Sequence, residues 1–313
     1  MLLYILAIAG GCVGLYYGGD LLLKGATTIG TKLGWSAAII GFVLVSLGTS
    51  APELFVSAGA AIQGYGDMAA GNVVGSNVVN LAIVLGLGAL IIPLSIDRAI
   101  KVHQLPLMIV LTLLGYFFLI DGHLGRSEGL ILFLSAFASV LWAMRVDGPP
   151  PDMEEALGTS VSEAKSQSYG RSGLQVLGGI LLLIIGAEGL IWGGVGLAQI
   201  FGVPDAVIAL TVTSIGTGLP EITATVLAVA RRDSAMAVGN VVGSNLLNIG
   251  LVLGMSGMIA PIDSGGVGNL PLMTMVLLSL VLALLAWFPG YISRLAGGAL
   301  LSSFVVYTVL LLR

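Results

Sequence analysis

The chain has 313 residues, of which 57% are hydrophobic and only 9% are charged. Soluble domains carry roughly 25% charged residues, so this composition cannot cover the surface of a water-soluble globule. The 12 Lys and Arg residues and the net charge of −4 give no basic surface for nucleic acid, and the single cysteine excludes an internal disulfide. The composition predicts a polytopic membrane protein.

Ten apolar runs, separated by charged or Gly/Pro-rich breaks, approach the length of about 20 residues that a membrane helix needs. We therefore predict an all-α fold with ten transmembrane helices. They lie at 2–22, 36–62, 69–92, 105–120, 128–145, 173–200, 206–230, 236–260, 270–288 and 291–312.

The positive charges predict the orientation of these helices. With the N-terminus outside, ten Lys and Arg residues fall on the inner side and only Arg126 and Arg313 fall outside. We therefore expect an inner (plasma) membrane protein with both termini outside. The polar segment 146–171 is then a solvated cytoplasmic linker.

The two halves of the chain are copies of each other. A shift of 168 residues aligns GTSAPE at 48–53 with GTGLPE at 216–221, and it gives 20 identities in the 46 positions of 48–93. Five spans per copy is an odd number, so the second copy enters the membrane in the opposite sense. This predicts two inverted five-helix repeats, 1–145 and 172–313, with a substrate site near the membrane midplane.

Glu53 and Glu221 occupy equivalent positions in the middle of the second and seventh spans. A charged side chain at the bilayer centre costs about 2.5–3.5 kcal/mol on insertion scales, so both residues are functional candidates. The alternative is a protonated glutamate that hydrogen-bonds across helices. No basic residue is available at the midplane to pair with either carboxylate.

Other oxygen atoms surround each glutamate in the sequence. The hydroxyls of Thr49 and Ser50 share a helical face with Glu53, and Pro52 removes a backbone donor, which frees carbonyls near Ser46–Gly48. The second repeat has the same arrangement at Ser214, Thr217, Pro220 and Glu221.

A polar stripe follows in the next span of each repeat, with a spacing of four residues. The alternative role of these stripes is interhelical hydrogen bonding alone, and the glycines beside them favour close helix packing. The stripe residues are Asn72, Ser76 and Asn80 in the first repeat and Asn240, Ser244 and Asn248 in the second.

Carboxylates, hydroxyls, amides and freed carbonyls form an all-oxygen site, which hard cations prefer, and Ca²⁺ takes 6–8 such ligands. Two carboxylates match the charge of one Ca²⁺. His103 and His123 lie between spans, where we expect solvated loop residues. No resident cofactor is needed. The site is complete within one chain, so no obligatory protein partner is evident.

The motifs GTSAPE…GNVVGSNVVN (48–80) and GTGLPE…GNVVGSNLLN (216–248) resemble the two alpha-repeats of the cation/calcium exchanger superfamily, specifically its prokaryotic sodium/calcium exchanger branch. The resemblance extends over all ten spans. It implies an antiporter that exports Ca²⁺ in exchange for Na⁺ or H⁺, and four core helices across which the first and sixth helices slide.

The resemblance also implies individual ligands. Glu53 and Glu221 would bridge a central Ca²⁺, and Thr49 and Thr217 would add oxygens through their main-chain carbonyls. Sodium sites would use Ser46, Ser50 and Ser244 on one side and Ser214 and Ser76 on the other, with Asn80 and Asn248 lining the middle.

Two positions depart from the family pattern. Gly218 stands where many sodium-coupled members have a serine, and Asn248 stands at a position that is often Asp. A Ca²⁺/H⁺ antiporter with Glu53 and Glu221 as proton carriers is therefore the alternative to Na⁺ coupling. The GSN segments at 75–77 and 243–245 favour Na⁺. An intramembrane enzyme with a carboxylate dyad and a passive cation channel are remoter alternatives.

Overall fold

The computed structural model describes residues 1–146, 167–202 and 216–311. Within these ranges eight helices are long and apolar enough to cross a membrane, and a ninth span consists of two helices that meet at a bend of 45°. The all-α membrane architecture predicted from the sequence is confirmed. Most of the predicted linker and the first half of the predicted span 206–230 lie outside the described residues.

We number the helices in chain order. They are α1 (Leu2–Lys32), α2 (Ala37–Thr49), α3 (Ala51–Ile62), α4 (Gly66–Ile91), α5 (Ile100–Leu119), α6 (Arg126–Val146), α7 (Tyr169–Ile200), α8 (Leu219–Ala230), α9 (Ser234–Ile259), α10 (Asn269–Trp287) and α11 (Arg294–Leu311).

Helix α1 is longer than the sequence predicts. It continues ten residues beyond the predicted end at residue 22 and reaches Lys32. Lys24 does not end it, since the Lys24 ammonium lies 2.7 Å from the Asp20 carboxylate one turn earlier. The helix ends at Lys32, and Gly34 follows with a φ of 75°, a left-handed conformation that glycine adopts without strain.

Four two-residue strands join the two repeats. Strand β1 (Leu94–Ser95) pairs antiparallel with β4 (Tyr291–Ile292), and β2 (His123–Leu124) pairs antiparallel with β3 (Ile262–Asp263). Under the shift of 168 residues, Leu94 is equivalent to Ile262 and His123 is equivalent to Tyr291. The two ladders are therefore copies of one contact, related by the same two-fold relationship as the repeats.

The helices divide into a buried centre and an exposed periphery. In the most apolar stretch of α9, 94% of the residues are buried, and in that of α4, 78% are buried. The corresponding fraction is 22% in both α1 and α7 and 11% in α11. The polar stripes of the sequence thus lie on the two central helices.

Helices α1 and α7 run antiparallel along each other with their backbones in close contact. A Cβ atom at Gly18 would lie 2.8 Å from the Leu183 nitrogen, and one at Gly179 would lie 2.6 Å from the Leu22 nitrogen. Such contact is possible only without side chains. The glycines recur every seven residues, at 11, 18 and 25 in α1 and at 179, 186 and 193 in α7.

Candidate cation-binding site

The second span is interrupted by a turn at Ser50. The same turn conformation occurs at the equivalent position Gly218, directly before helix α8. Ser50 has φ −80° and ψ 2°, and Gly218 has φ −84° and ψ 2°. Pro52 and Pro220 then lie in the first turns of α3 and α8, where proline is tolerated because the first N–H groups of a helix have no partner. The predicted disturbance by proline is therefore present in both repeats.

The break frees fewer carbonyls than the sequence suggests. The Ser46 carbonyl still accepts the Ser50 N–H at 2.9 Å, so it is not released. Gly48 is the residue whose carbonyl loses its helical donor, because Pro52 has no N–H. Glu53 and Glu221 lie in the first turns after the breaks, where the positive end of the helix dipole favours a negative charge.

Both glutamates are fully buried without an ion pair or a regular hydrogen bond among the described residues. Each side chain is 0% exposed, and none of the four carboxylate oxygens has a hydrogen-bond partner within the described ranges. The described ion pairs all involve Asp20 and neither glutamate. The two carboxylates are close enough to repel each other electrostatically. Buried unpaired charges of this kind require bound cations or protons.

Thr49 connects the two repeats beside these carboxylates. Its hydroxyl lies 3.3 Å from the Ser244 hydroxyl and 3.4 Å from Asn240 Oδ1, and it also interacts with the Glu221 carboxylate without forming a regular hydrogen bond. The structure therefore brings Thr49, Ser244 and Glu221 together, as a shared site requires. Ser46 lies one turn earlier, and its hydroxyl donates to the Phe42 carbonyl at 2.5 Å.

The remaining predicted site residues differ in their surroundings. The hydroxyls of Ser50 and Ser76 and the amide of Asn80 are buried without hydrogen-bond partners in the described part of the chain. Asn248 donates through its nitrogen, and its oxygen has no hydrogen-bond partner within the described ranges. Thr217 is partly exposed, and Ser214 lies outside the described residues.

One residue of each stripe serves interhelical hydrogen bonding. Asn72 donates to the Ser57 hydroxyl at 2.9 Å, and Asn240 donates to the Thr225 hydroxyl at 3.1 Å. Ser57 and Thr225 were not predicted as site residues. Each nevertheless follows its glutamate by four residues and so shares its helical face. Asn72 and Asn240 therefore form the interhelical hydrogen bonds that the alternative role of the stripes predicts.

The third residue of each stripe begins a π-helical segment, Asn80–Val84 in α4 and Asn248–Leu253 in α9. Insertions of this type occur frequently at functional sites, because they displace backbone groups from the regular ladder. These segments were not predicted from the sequence, although they lie at equivalent positions in the two repeats.

A cavity of about 310 Å³ adjoins one side of the site. Its lining includes Asn72, Ser76 and Thr217 together with Phe304 and Tyr307 of α11. This half of the molecule contains the beginning of α4 and the end of α11, which lie on the membrane side where α1 begins. We call this the N-terminal side.

The described residues contain no group of three or more His, Cys, Asp and Glu side chains that could hold a metal ion. A cation in this core would therefore be held by the two glutamates together with neutral oxygens. Such a mixed set suits weakly held, exchangeable hard cations.

A broken span in the first repeat, together with a buried glutamate at the equivalent position of each inverted repeat, is typical of a secondary transporter of ions. The family model for sodium/calcium exchanger proteins matches residues 3–145 and 172–313, and the chain belongs to this family. It is therefore an ion exchanger and not an enzyme.

Two relatives and one solved structure agree with this assignment. The chain is 36% identical to CaxA of Alkalimonas amylolytica, a candidate antiporter, over 99% of each chain. It is 31% identical to the inner membrane protein YrbG of Escherichia coli, over 99% of this chain and 97% of YrbG. A structure of the sodium-calcium exchanger NCX_Mj, soaked with zero Na⁺ and Ca²⁺, is 27% identical and superimposes with a TM-score of 0.84 over 98% of each chain.

Proposed function

We propose that this exchanger exports Ca²⁺ in exchange for Na⁺ by alternating access. The observation that carries the proposal is the pair of fully buried glutamates, Glu53 and Glu221, whose four carboxylate oxygens have no partner among the described residues. One Ca²⁺ matches their two negative charges, and the surrounding hydroxyl and amide oxygens are ligands that hard cations prefer. The similarity to the sodium-calcium exchanger NCX_Mj supports the choice of ions.

The uncompensated charge gives a reason for obligatory exchange. An empty site carries two buried negative charges, and moving the peripheral helices across it would leave them unpaired in a medium of low dielectric constant. Bound Ca²⁺, or Na⁺ ions in its place, neutralise the site and allow that movement. We assign Thr49 and Thr217 to the Ca²⁺ site, as the family resemblance implies. For Na⁺ we assign Ser46, Ser50 and Ser244 on one side, and Ser76 and Ser214 on the other.

The proposed topology follows the positive charges. The N-terminal side faces the exterior, segment 146–171 connects the repeats 1–145 and 172–313 on the cytoplasmic side, and the cavity next to Thr217 opens outward. The similarity to an inner membrane protein of Escherichia coli supports placement in the inner membrane.

Ca²⁺/H⁺ exchange is the second candidate, because of one specific observation. Ser50 supplies a buried hydroxyl at the break of the second span, whereas Gly218 supplies none at the equivalent break. A sodium site that lacks this ligand is weaker, and two glutamates can each accept a proton when Ca²⁺ leaves.

Uptake of ⁴⁵Ca²⁺ into proteoliposomes distinguishes these functions. One set of vesicles is loaded with Na⁺ at matched pH, and the other with K⁺ and an acidic interior. We expect uptake with internal Na⁺ and none with acid alone. Uptake driven only by acid contradicts Na⁺ coupling, and uptake that continues without any counter-ion indicates a channel.

A further inference from the structure

Four asparagine side chains are buried where α4 crosses α9, and they form two pairs that are equivalent under the repeat. Asn77 corresponds to Asn245, and Asn80 corresponds to Asn248. All four are at most 1% exposed, so their amides depend on protein partners or bound ions rather than on bulk water. The two pairs differ in the hydrogen bonds that their side chains form, and this difference distinguishes the two repeats.

The orientation of the Asn77 amide is fixed by a main-chain group of the other repeat. Its Nδ2 donates to the Asn245 carbonyl at 3.2 Å. A carbonyl can only accept, so the nitrogen of Asn77 must face it and the oxygen must face the other way. That oxygen accepts Asn248 Nδ2 at 3.1 Å, which in turn fixes the nitrogen of Asn248 toward Asn77.

Fixing the nitrogen of Asn248 also fixes its oxygen. Asn248 Oδ1 is buried and has no hydrogen-bond partner in the described part of the chain. The π-helical segment that Asn248 begins packs against α3, the helix that carries Glu53. An acceptor without a donor is thus held in the core beside the glutamate helix, which is the arrangement that a cation ligand requires.

The equivalent pair in the other half is not oriented in this way. Both polar side-chain atoms of Asn245 and both of Asn80 lack partners among the described residues. Because a cation attracts the oxygen of an amide and repels its NH₂ group, a free amide must be ordered when the ion binds, whereas a fixed amide is ordered beforehand.

We propose that Asn77 is a positioning residue that holds Asn248 Oδ1 as a preoriented ligand for the transported cation. This inference rests on the proposed function of the central site. Asn77 then contributes to ion affinity, although it is distant in sequence from both glutamates.

The test compares Asn77→Leu with its repeat equivalent Asn245→Leu in the purified full-length chain. Leucine has the same branched arrangement of heavy atoms as asparagine but cannot hydrogen-bond. The dissociation constants for Ca²⁺ and, in separate samples, for Na⁺ are measured by isothermal titration calorimetry. We expect Asn77→Leu to weaken binding about three- to tenfold and Asn245→Leu to change it less than about twofold.

A double variant tests whether Asn77 acts through Asn248. In an Asn248→Leu background the oriented oxygen is absent, so Asn77→Leu is expected to cause no further loss of affinity. The inference is wrong if Asn77→Leu lowers the unfolding temperature but leaves both dissociation constants unchanged, or if its effect persists in that background. Binding of neither ion by the unmodified chain contradicts the proposed function and this inference with it.

Discussion

At the scale of single residues, the site combines two charged ligands with many neutral ones. Glu53 and Glu221 are the only acidic residues that the described part of the chain places in the central core, and both are fully buried. Neutral oxygens from Thr49 and Ser244 meet across the repeat interface. Charge is therefore concentrated in two residues, whereas selectivity among cations depends on the oxygens around them.

Glu53→Gln and Glu221→Gln are each expected to reduce ⁴⁵Ca²⁺ uptake by about a hundredfold, because about 3 kcal/mol of charge compensation at the bilayer centre is lost. The amide is isosteric with the carboxyl group, so elution on size-exclusion chromatography should not change. Glu188→Gln alters an exposed glutamate of α7 and serves as the control with normal uptake. Substantial uptake by either core variant contradicts the assignment.

Gly218→Ser is expected to lower the half-saturating Na⁺ concentration about two- to tenfold, because it restores a hydroxyl ligand. The backbone permits the change, since Gly218 and Ser50 have nearly the same φ and ψ. The measurement is the Na⁺ dependence of ⁴⁵Ca²⁺ exchange in proteoliposomes. Ser50→Gly, the reverse change in the other repeat, should raise the same concentration. An unchanged Na⁺ dependence in Gly218→Ser contradicts the mapping of this position.

At the scale of elements, glycine determines how the peripheral helices pack. Helices α1 and α7 touch backbone to backbone at glycines spaced by seven residues, and the same spacing in both helices follows from the duplication. Contact along the length of the helices makes them one unit, and such a unit can move against the core without changing its own internal packing.

Gly179→Ala tests this packing, because its Cβ would lie 2.6 Å from the Leu22 nitrogen. Overpacking costs about 1–3 kcal/mol, so the unfolding temperature in detergent should fall and exchange should slow. The neighbouring Gly178→Ala is the matched control, since a Cβ there meets no described atom within 4 Å. Replacing glycine by alanine in a helix gains about 0.5–1 kcal/mol, so this control should be at least as stable as the parent. Equal stability of the two variants would show that α1 and α7 do not depend on this contact.

At the scale of the whole molecule, the two repeats differ in one contact between a peripheral helix and the core. Asp20 of α1 accepts a hydrogen bond from Arg231 at 2.5 Å, and Arg231 directly follows α8 of the core. The equivalent residues are Glu188 and Gln63, which form no ion pair within the described ranges. The pair therefore ties a peripheral helix to the core on the side away from the cavity, and we infer that it favours the state that is open toward the N-terminal side.

Arg231→Gln reproduces the residue of the other repeat and should weaken this tie. The pair is partly exposed, with Arg231 at 37% and Asp20 at 23%, so its contribution is at most about 1 kcal/mol, or about fivefold. A shift of the conformational equilibrium lowers the half-saturating Ca²⁺ concentration on one side of the membrane and raises it on the other. We expect Arg231→Gln to lower the half-saturating Ca²⁺ concentration on the membrane side where Arg231 lies. The measurement uses vesicles of defined orientation.

Arg232→Asn is the control for this experiment, because Arg232 has a φ of 61° and asparagine tolerates that conformation. It removes a neighbouring positive charge but leaves the ion pair in place. Equal changes on both sides of the membrane in Arg231→Gln would contradict the inferred conformational bias.

The membrane class, the duplication, the inversion of the repeats and the two glutamates of the site could all be predicted from the amino-acid sequence alone. These features follow from composition, self-similarity and an odd number of spans per repeat, none of which depends on how helices pack. The helix breaks were also predictable, because Pro52 and Pro220 act on the backbone of their own helix.

The helix faces that meet in the folded protein could not be predicted from the sequence. The contact of Thr49 with Ser244, the orientation of Asn248 by Asn77 and the strand pairs between repeats all join residues more than 130 positions apart. In a membrane both the lipid-facing and the protein-facing sides of a helix are apolar, so hydrophobic periodicity does not show which face is buried. For the same reason the close contact of α1 with α7 became visible only when glycine positions were matched to the backbone of the neighbouring helix.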